Sequence, residues 1–139
     1  MERAPEARPT TNVARARDYI AALARGASRE QLARFLAPNI AQEEFSNRIA
    51  PQGVRRNLVQ MLESFERSKQ LLASQTFEIR NAFGAGAFVV LEVDWRGKLA
   101  VSAGGIPAGA SFHANLSVIL EFLAGRIVAQ RNYDCYDPF

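Results

Sequence analysis

The last third of the sequence predicts two long β-strands joined by a tight turn, and this hairpin limits the possible folds most strongly. Successive strand residues point to opposite sides, which gives the first strand an apolar face of Phe112, Ala114, Leu116, Val118, Leu120 and Phe122. A turn at residues 123–126 leads into the second strand. The other face of the hairpin is rich in short hydrogen-bonding groups and is predicted to line a small-molecule pocket; it consists of His113, Asn115, Ser117, Gln130, Asn132 and Asp134.

Composition limits the classes of protein that this chain can belong to. Its 139 residues fit one domain, and 48% apolar with 22% charged residues is ordinary for a globular protein. The net charge is only +3, and no basic and aromatic cluster predicts nucleic-acid binding. The single Cys135 and single His113 argue against an internal disulfide or a metal site. No long apolar run or leader is evident, so we expect a cytoplasmic protein without a membrane partner.

The first half of the chain is predicted to be helical. Residues 1–11 are polar and contain two prolines, which predicts a flexible tail before a single domain of residues 12–139. Apolar residues recur at helical spacing in three segments. The predicted helices cover residues 12–25, 28–37 and 54–72.

The second half is predicted to be a sheet. Residues 39–53 are expected to be irregular, with one short strand near 41–45, and further strands are predicted for residues 75–83 and 87–98 before the final hairpin. Helices followed by a meander of strands indicate an α+β fold. We therefore expect three helices on the concave face of a curved, mainly antiparallel sheet.

Four segments of the chain resemble the nuclear transport factor 2-like superfamily, the cone-shaped α+β fold that includes ketosteroid isomerases and SnoaL-like polyketide cyclases. The segments are ARDYIAALARG, RFLAPNIAQEEF, LEVDWRG and VILEFLAGRIVAQRNYD, and the resemblance covers residues 13–137. Because this fold carries enzymes, binding modules and transport factors, the resemblance implies the fold more directly than the function.

The resemblance also implies candidate catalytic residues, position by position. Tyr19 stands where the isomerases have a tyrosine that donates a hydrogen bond to the substrate oxygen, and Glu44 stands where they have a carboxylate base. Their second donor is a protonated aspartate, and Ser117 stands there instead, with a hydroxyl that is a weaker donor than a neutral acid. Asp134 is the nearest counterpart of the acid/base aspartate of SnoaL-like cyclases. His113 is a further candidate partner of Asp134.

The same resemblance orients the final hairpin. It implies that Trp95, Asn115, Ser117, Gln130 and Asn132 line the pocket. The apolar face of the hairpin would then point away from the helices, and an apolar sheet face is rarely left exposed on a monomer. We therefore expect a homodimer through the outer sheet face.

Two functions follow from these observations. The first is a cofactor-free acid/base enzyme, a cyclase, isomerase or dehydratase, acting on a small apolar or polyketide-like oxygenated molecule, with Asp134, His113, Tyr19 and Glu44 as catalytic groups. The alternative is a non-catalytic ligand-binding or dimeric assembly module. An inward, closely spaced pair of His113 and Asp134 would favour the enzyme, whereas pocket groups hydrogen-bonded to one another would favour the module.

Overall fold

A computed structural model describes residues 9–139 of the protein, with their side chains from residue 11 onward. None of the helices in this part of the chain is long and apolar enough to cross a membrane. The elements in chain order are α1 (Pro9–Arg25), α2 (Arg29–Ala33), β1 (Leu36–Glu44), β2 (Val54–Arg56), α3 (Leu58–Leu71), β3 (Leu72–Ala85), β4 (Phe88–Leu99), β5 (Ser111–Leu123) and β6 (Arg126–Tyr136).

The strands form one mixed, open sheet in the order β2-β1-β6-β5-β4-β3. Neighbouring strands are antiparallel except for β1 and β6, which run parallel. This arrangement confirms the predicted α+β fold with a mainly antiparallel sheet. The predicted flexible tail of residues 1–11 lies mostly outside the described residues.

The core lies between the helices and one face of the sheet, which we call the inner face. Helices α1 and α3 each contribute an apolar stripe, and β4 and β5 contribute alternate residues. Fewer residues come from α2, β1 and β6, namely Leu32, Leu36, Ile40 and Ile127. Burial of these side chains is the main driving force for folding. The most fully buried large apolar side chains are Leu32, Leu36, Val89, Leu91, Leu120 and Ile127. The helices therefore pack on the inner face; their predicted position on its concave side stays a prediction.

The first two helices differ from the prediction at their ends. Helix α1 begins at Pro9, three residues earlier than predicted, and proline is well tolerated in the first helical turn because it lacks only an N–H that is unpaired there. Helix α2 has the predicted capping box at Ser28 and Gln31 but ends at Ala33. The chain then enters β1, because Leu36 pairs with Ile127 of β6, a long-range contact that no local pattern indicates.

The third helix is shorter than predicted. It begins at Leu58 with a capping box in which Asn57 accepts from the backbone N–H of Gln60, and the Gln60 side chain accepts from that of Asn57. The residues before it, Val54–Arg56, form β2 and pair with the end of β1. Residues 45–53 are irregular as predicted, whereas the short strand predicted near 41–45 belongs to the longer β1, which ends at Glu44.

A β-bulge corrects the predicted faces of the final hairpin. In the turn, Ala124 and Gly125 both have positive φ, as a two-residue hairpin turn of type I′ requires, and Phe122 pairs with Ile127. If that register continued, each even-numbered residue of β5 would lie opposite an odd-numbered residue of β6, as the prediction assumed. The register instead shifts between Phe122 and Glu121, where Val128 of β6 is the extra residue, so that Leu120 pairs with Gln130. One extra residue in a strand reverses the faces of every residue beyond it.

The bulge places the apolar residues of β5 and the polar residues of β6 on the same face. Val118 and Leu120 are buried in the core beneath the helices, not exposed on the outer face as predicted. The expected homodimer was inferred from an exposed apolar face, and this reason no longer holds because that face is buried. A homodimer through the outer sheet face stays a prediction.

Candidate functional site

A cavity of about 690 Å³ lies between α3, the loop that follows β4, and the end of β6. Most of its wall is apolar or aromatic, and it is formed by Leu71, Leu72, Trp95, Leu99, Ile106, Phe112, Tyr136 and Phe139. The polar part of the wall consists of Glu44, Arg48, Arg56, Ser64, Arg67 and Ser68. A mainly apolar cavity of this size with a few polar groups is typical of a small-molecule site.

Trp95 is held in place by its own strand. Its indole lies over Gly97, where a Cβ atom would come within 2.5 Å of the ring. The indole Nε1–H donates to Gln75 Oε1 at 3.0 Å, and the ring meets Tyr136 edge-on with 6.1 Å between centroids. Glycine at position 97 is therefore required for this orientation of the tryptophan.

Glu44 and Arg56 form a polar pair at the end of the cavity. Arg56 Nη1 lies 3.5 Å from Glu44 Oε1 and 3.3 Å from Gln42 Oε1. The Arg56 and Glu44 side chains are only 17% and 22% exposed. A second cavity of about 210 Å³, nearer to α1, shares both residues in its wall. The pairing of β1 with β2 brings the two residues together, since Arg56 lies opposite Gln42, two residues before Glu44 on the same face of β1.

A chain of hydrogen bonds fixes the amides of the inner face. Tyr19 Oη donates to Gln130 Oε1 at 2.7 Å, and the amide nitrogens of Gln130 and Gln42 both donate to Asn132 Oδ1, at 3.0 and 3.1 Å. Burial raises the pKa of the Tyr19 hydroxyl above its usual range, with its hydrogen bond to Gln130 opposing the rise. The Tyr19 proton is thus directed at Gln130 and not into the larger cavity.

Asp134 is the least satisfied polar group of the inner face. It lies opposite Leu116 of β5, and its Oδ1 is buried and accepts no hydrogen bond from the described residues. Burial raises the pKa of this carboxyl from 3.8 to about 6, with Glu44 adding to the rise and Arg56 opposing it. Burial, together with Asp134 and Glu44, also raises the pKa of Tyr136 above its usual range. Asp134 is not itself a wall residue, but all three of these neighbours are.

Three of the predicted site residues lie on the opposite, outer face of the sheet. These are His113, Asn115 and Ser117, which pair with Arg96, Asp94 and Glu92 of β4. Their predicted position in one pocket with Asp134 is therefore wrong, and the inward pair of His113 and Asp134 does not form. The remaining predicted residues all lie on the inner side; they are Tyr19, Glu44, Trp95, Gln130, Asn132 and Asp134.

His113 belongs to a compensated charge cluster on the outer face. Its Nε2 lies 3.0 Å from Asp94 Oδ1 and its Nδ1 lies 2.9 Å from Asp137 Oδ2. Asp94 also forms ion pairs with Arg80 and Arg96. The hydrogen bond from Arg80, followed by that from His113, lowers the pKa of Asp94 although burial opposes this. The bonds to Asp137 and then Asp94 raise the pKa of His113.

Several residues of the site, including Tyr136, Arg56 and Arg67, do not follow from the sequence patterns used above. Tyr136 shares the parity of Asp134 within its strand, and this alternation is the signal that could have placed it in the site. Arg56 falls within the predicted third helix, and only the pairing of β2 with β1 brings it to Glu44. In the described part of the chain, no three His, Cys, Asp or Glu side chains converge as metal ligands would.

Comparison with known families identifies the domain to which the chain belongs. The model of the SnoaL-like domain matches residues 16–130, most of the chain. The protein belongs to the SnoaL-like domain family. The matched range contains most of α1, the cavity-forming strands β1 to β5 and the first half of β6, whereas Asp134 and Tyr136 lie just beyond it.

Solved structures similar to this SnoaL-like domain show the same fold at low sequence identity. IdmH from Streptomyces antibioticus, a candidate polyketide cyclase, superposes with a TM-score of 0.74 at 18% identity, over 88% of this chain and 91% of that chain. An epoxide hydrolase of the LEH-like type from M. tuberculosis superposes with a TM-score of 0.72 at 15% identity, over 93% of this chain and 84% of that chain. AclR from Streptomyces galilaeus, a candidate hydroxylase, superposes with a TM-score of 0.77 at 16% identity, over 92% of this chain and 81% of that chain. Among curated proteins, none matches this sequence significantly.

Proposed function

We propose that this SnoaL-like protein is a cofactor-independent acid/base enzyme that moves a proton on a small, apolar, oxygenated molecule bound in the larger cavity. The observation that carries the proposal is the half-buried Asp134 beside the cavity wall, which has one buried oxygen that accepts no hydrogen bond from the described residues and a pKa of about 6. Strongly shifted titratable groups in clefts are enriched at functional sites. Relatives of the same fold named as a polyketide cyclase and an epoxide hydrolase are consistent with an oxygenated ligand.

A pKa of about 6 suits Asp134 for both directions of proton transfer. Near neutral pH such a carboxyl is present in both protonation states, so it can accept a proton from a carbon or oxygen atom and return it to another. Glu44 contributes by raising that pKa, and Arg56 limits the rise. Proton transfer by a positioned side chain accelerates a reaction by about 10²- to 10⁴-fold.

The other inner residues have binding roles in this proposal. Trp95 supplies a large contact surface for an apolar ring, and its orientation is fixed by Gly97 and Gln75. Tyr19 acts through Gln130 and Asn132, whose amides it keeps in one arrangement. Tyr19 is therefore a positioning residue in this proposal, not the hydrogen-bond donor to substrate that the family resemblance implied.

Deuterium exchange into a simple ketone tests the proposal, because it requires only the proton-transfer step and not the natural substrate. An enolisable, apolar ketone such as 2-tetralone is incubated with the protein in D₂O, and loss of the proton next to the carbonyl is followed by NMR. The wild-type protein should accelerate exchange, and Asp134→Asn should lower the rate by about a hundredfold or more because it removes the base and keeps the shape. Asp18→Asn, on the exposed side of α1, is the matched control.

A ligand-binding or assembly module is the second candidate, and one observation favours it. The inner amides and the Tyr19 hydroxyl are hydrogen-bonded to one another, as expected for a structural network. If the protein is such a module, Trp95→Ala weakens ketone binding but Asp134→Asn leaves exchange unchanged. An equal exchange rate for the wild-type protein and Asp134→Asn would contradict the enzyme proposal and support the module.

A further inference from the structure

The charges on the wall of the larger cavity are strongly unequal. Three guanidinium groups line it, from Arg48, Arg56 and Arg67, against the single carboxylate of Glu44. No lysine or histidine of the described residues contributes to this wall. A neutral apolar molecule has no group that uses such an excess of positive charge, whereas an anionic group on an apolar ligand would be attracted by it.

Two of the three arginines have protein partners. Arg56 contacts Glu44 and Gln42, as described above. Arg48 donates to the carbonyl oxygen of Phe139 and lies over its ring, with 4.7 Å between the guanidinium carbon and the ring centroid. Both guanidinium groups are therefore already bound to other residues of the protein.

Arg67 differs from them because it has no ion pair or hydrogen bond to any residue in the described part of the chain. Glu63 precedes it by four residues on α3, a spacing that commonly gives a helical ion pair, but the two side chains are not within ion-pair distance. Ser64 and Ser68 flank Arg67 on the cavity side of the helix. A guanidinium group offers five donors in a fork that fits a carboxylate or a sulfonate.

We propose that the ligand of this cavity is an amphipathic anion: an apolar ring system that packs on Trp95, Leu72 and Leu99, with a carboxylate-like group received by Arg67. The inference rests on the proposed use of this cavity and adds the chemical class of the ligand. In this arrangement Arg67 determines specificity and does not take part in proton transfer. The anion lies at the α3 side of the cavity, and the apolar part of the ligand extends from it along the apolar wall.

Two fluorescent probes with the same skeleton test the charge requirement. 1-Anilinonaphthalene-8-sulfonate is anionic, and N-phenyl-1-naphthylamine is the same molecule without its sulfonate. The wild-type protein should bind the anionic probe more tightly at low salt, and added salt should reduce that preference. Arg67 is an exposed residue, so Arg67→Gln should weaken binding of the anionic probe roughly two- to fivefold, as for loss of an exposed charge-assisted contact, and leave the neutral probe within about twofold.

Three further variants test where the probes bind and which charge causes the preference for the anionic probe. Arg67→Lys should retain most of the preference, because it keeps the charge. Arg17→Gln, an exposed arginine of α1 outside the cavity, should change neither probe. Trp95→Ala should weaken both probes, because it removes the shared apolar contact.

Several results would overturn the inference while leaving the acid/base proposal standing. These are equal affinity for the two probes, an unchanged anionic probe in Arg67→Gln, or an anionic probe insensitive to Trp95→Ala, which would place it elsewhere on the protein. Failure of the acid/base proposal is read from a different measurement, the exchange rate of Asp134→Asn. If neither probe binds, the inference about the ligand falls, and the exchange rate of Asp134→Asn alone decides the acid/base proposal.

Discussion

The two faces of the sheet each carry a largely buried aspartate, and their surroundings are opposite. On the outer face, Asp94 is 5% exposed and is neighboured by Arg80, Arg96 and His113, and its pKa is lowered. On the inner face, Asp134 has an oxygen that accepts no hydrogen bond from the described residues, and its pKa is raised to about 6. The same side chain is thus a fully compensated ion on one face and a partly protonated acid on the other.

This comparison shows why burial and polarity alone do not identify a reactive group. A cluster of His113 between Asp94 and Asp137 contains the residue types of many active sites, but each ring nitrogen is already hydrogen-bonded to a carboxylate. A carboxylate that has its cations and donors is stabilised in the charged form. The group left without them, Asp134, is the one whose protonation state can change near neutral pH.

The largest expected effect tests the assignment of the two faces. Leu120→Asp places a charge in the core, where Leu120 is fully buried, and should lower the free energy of unfolding by about 4 kcal/mol or more. Ile119→Asp, its neighbour on the outer face, should cost about 1 kcal/mol or less. Urea denaturation followed by circular dichroism measures both. Similar losses for the two variants would show that the register of β5 is not the one described.

The two aspartates should respond to removal of charge with opposite signs. The raised pKa of Asp134 means that ionisation of this carboxyl opposes folding. The destabilisation begins as the pH rises past the unfolded pKa of about 3.8, and it is complete above the folded pKa of about 6. Asp134→Asn should therefore stabilise the protein by up to about 3 kcal/mol at pH 8 and not at pH 3.5. The lowered pKa of Asp94 means that its charge favours folding, so Asp94→Asn should destabilise the protein at neutral pH. That loss should shrink as the pH falls below about 4.

The unfolding midpoints of Asp134→Asn and Asp94→Asn between pH 3.5 and pH 8 measure these stability changes, with the exposed Asp18→Asn as control. Two variants with the same sign at pH 8 would remove the distinction between the faces. A pH-independent effect of Asp134→Asn would mean that its carboxyl titrates normally.

The smallest effect concerns the histidine of the outer cluster. Asp137 and Asp94 raise the pKa of His113, with Arg96 as the cation opposite it in β4. Protonation of a histidine with a raised pKa stabilises the folded state. This stabilisation is fully present below the unfolded pKa of about 6.5 and is lost as the pH rises through the folded pKa. His113→Gln should therefore cost most stability at acidic pH and little at alkaline pH. Because the chain has one histidine, its ring proton can be titrated directly by NMR, and a midpoint at or below 6.5 would contradict the cluster.

The sequence by itself determined the fold class and much of the core. Helical spacing in the first half, alternation in the second half and the Ser28–Gln31 capping box are local signals, and short-range periodicity is what a sequence displays directly. Trp95 and Asp134 were also predicted on the pocket side, and both lie on the inner face. The alternation of Asp134, Asn132 and Gln130 within one strand was enough to group these three residues correctly.

Only the tertiary structure decided which residues meet. The extra residue of β6, Val128, lies between the partners of Phe122 and Glu121 and reverses the pairing of β5 with β6. This moved His113, Asn115 and Ser117 to the outer face although their alternation was identified correctly. Arg56 meets Glu44 only because β2 pairs with β1. A strand pattern repeats every two residues, so it is unchanged by a one-residue shift of its partner. The relative register of two strands is therefore set by the bulge and by core packing, and the composition of the site depends on that register.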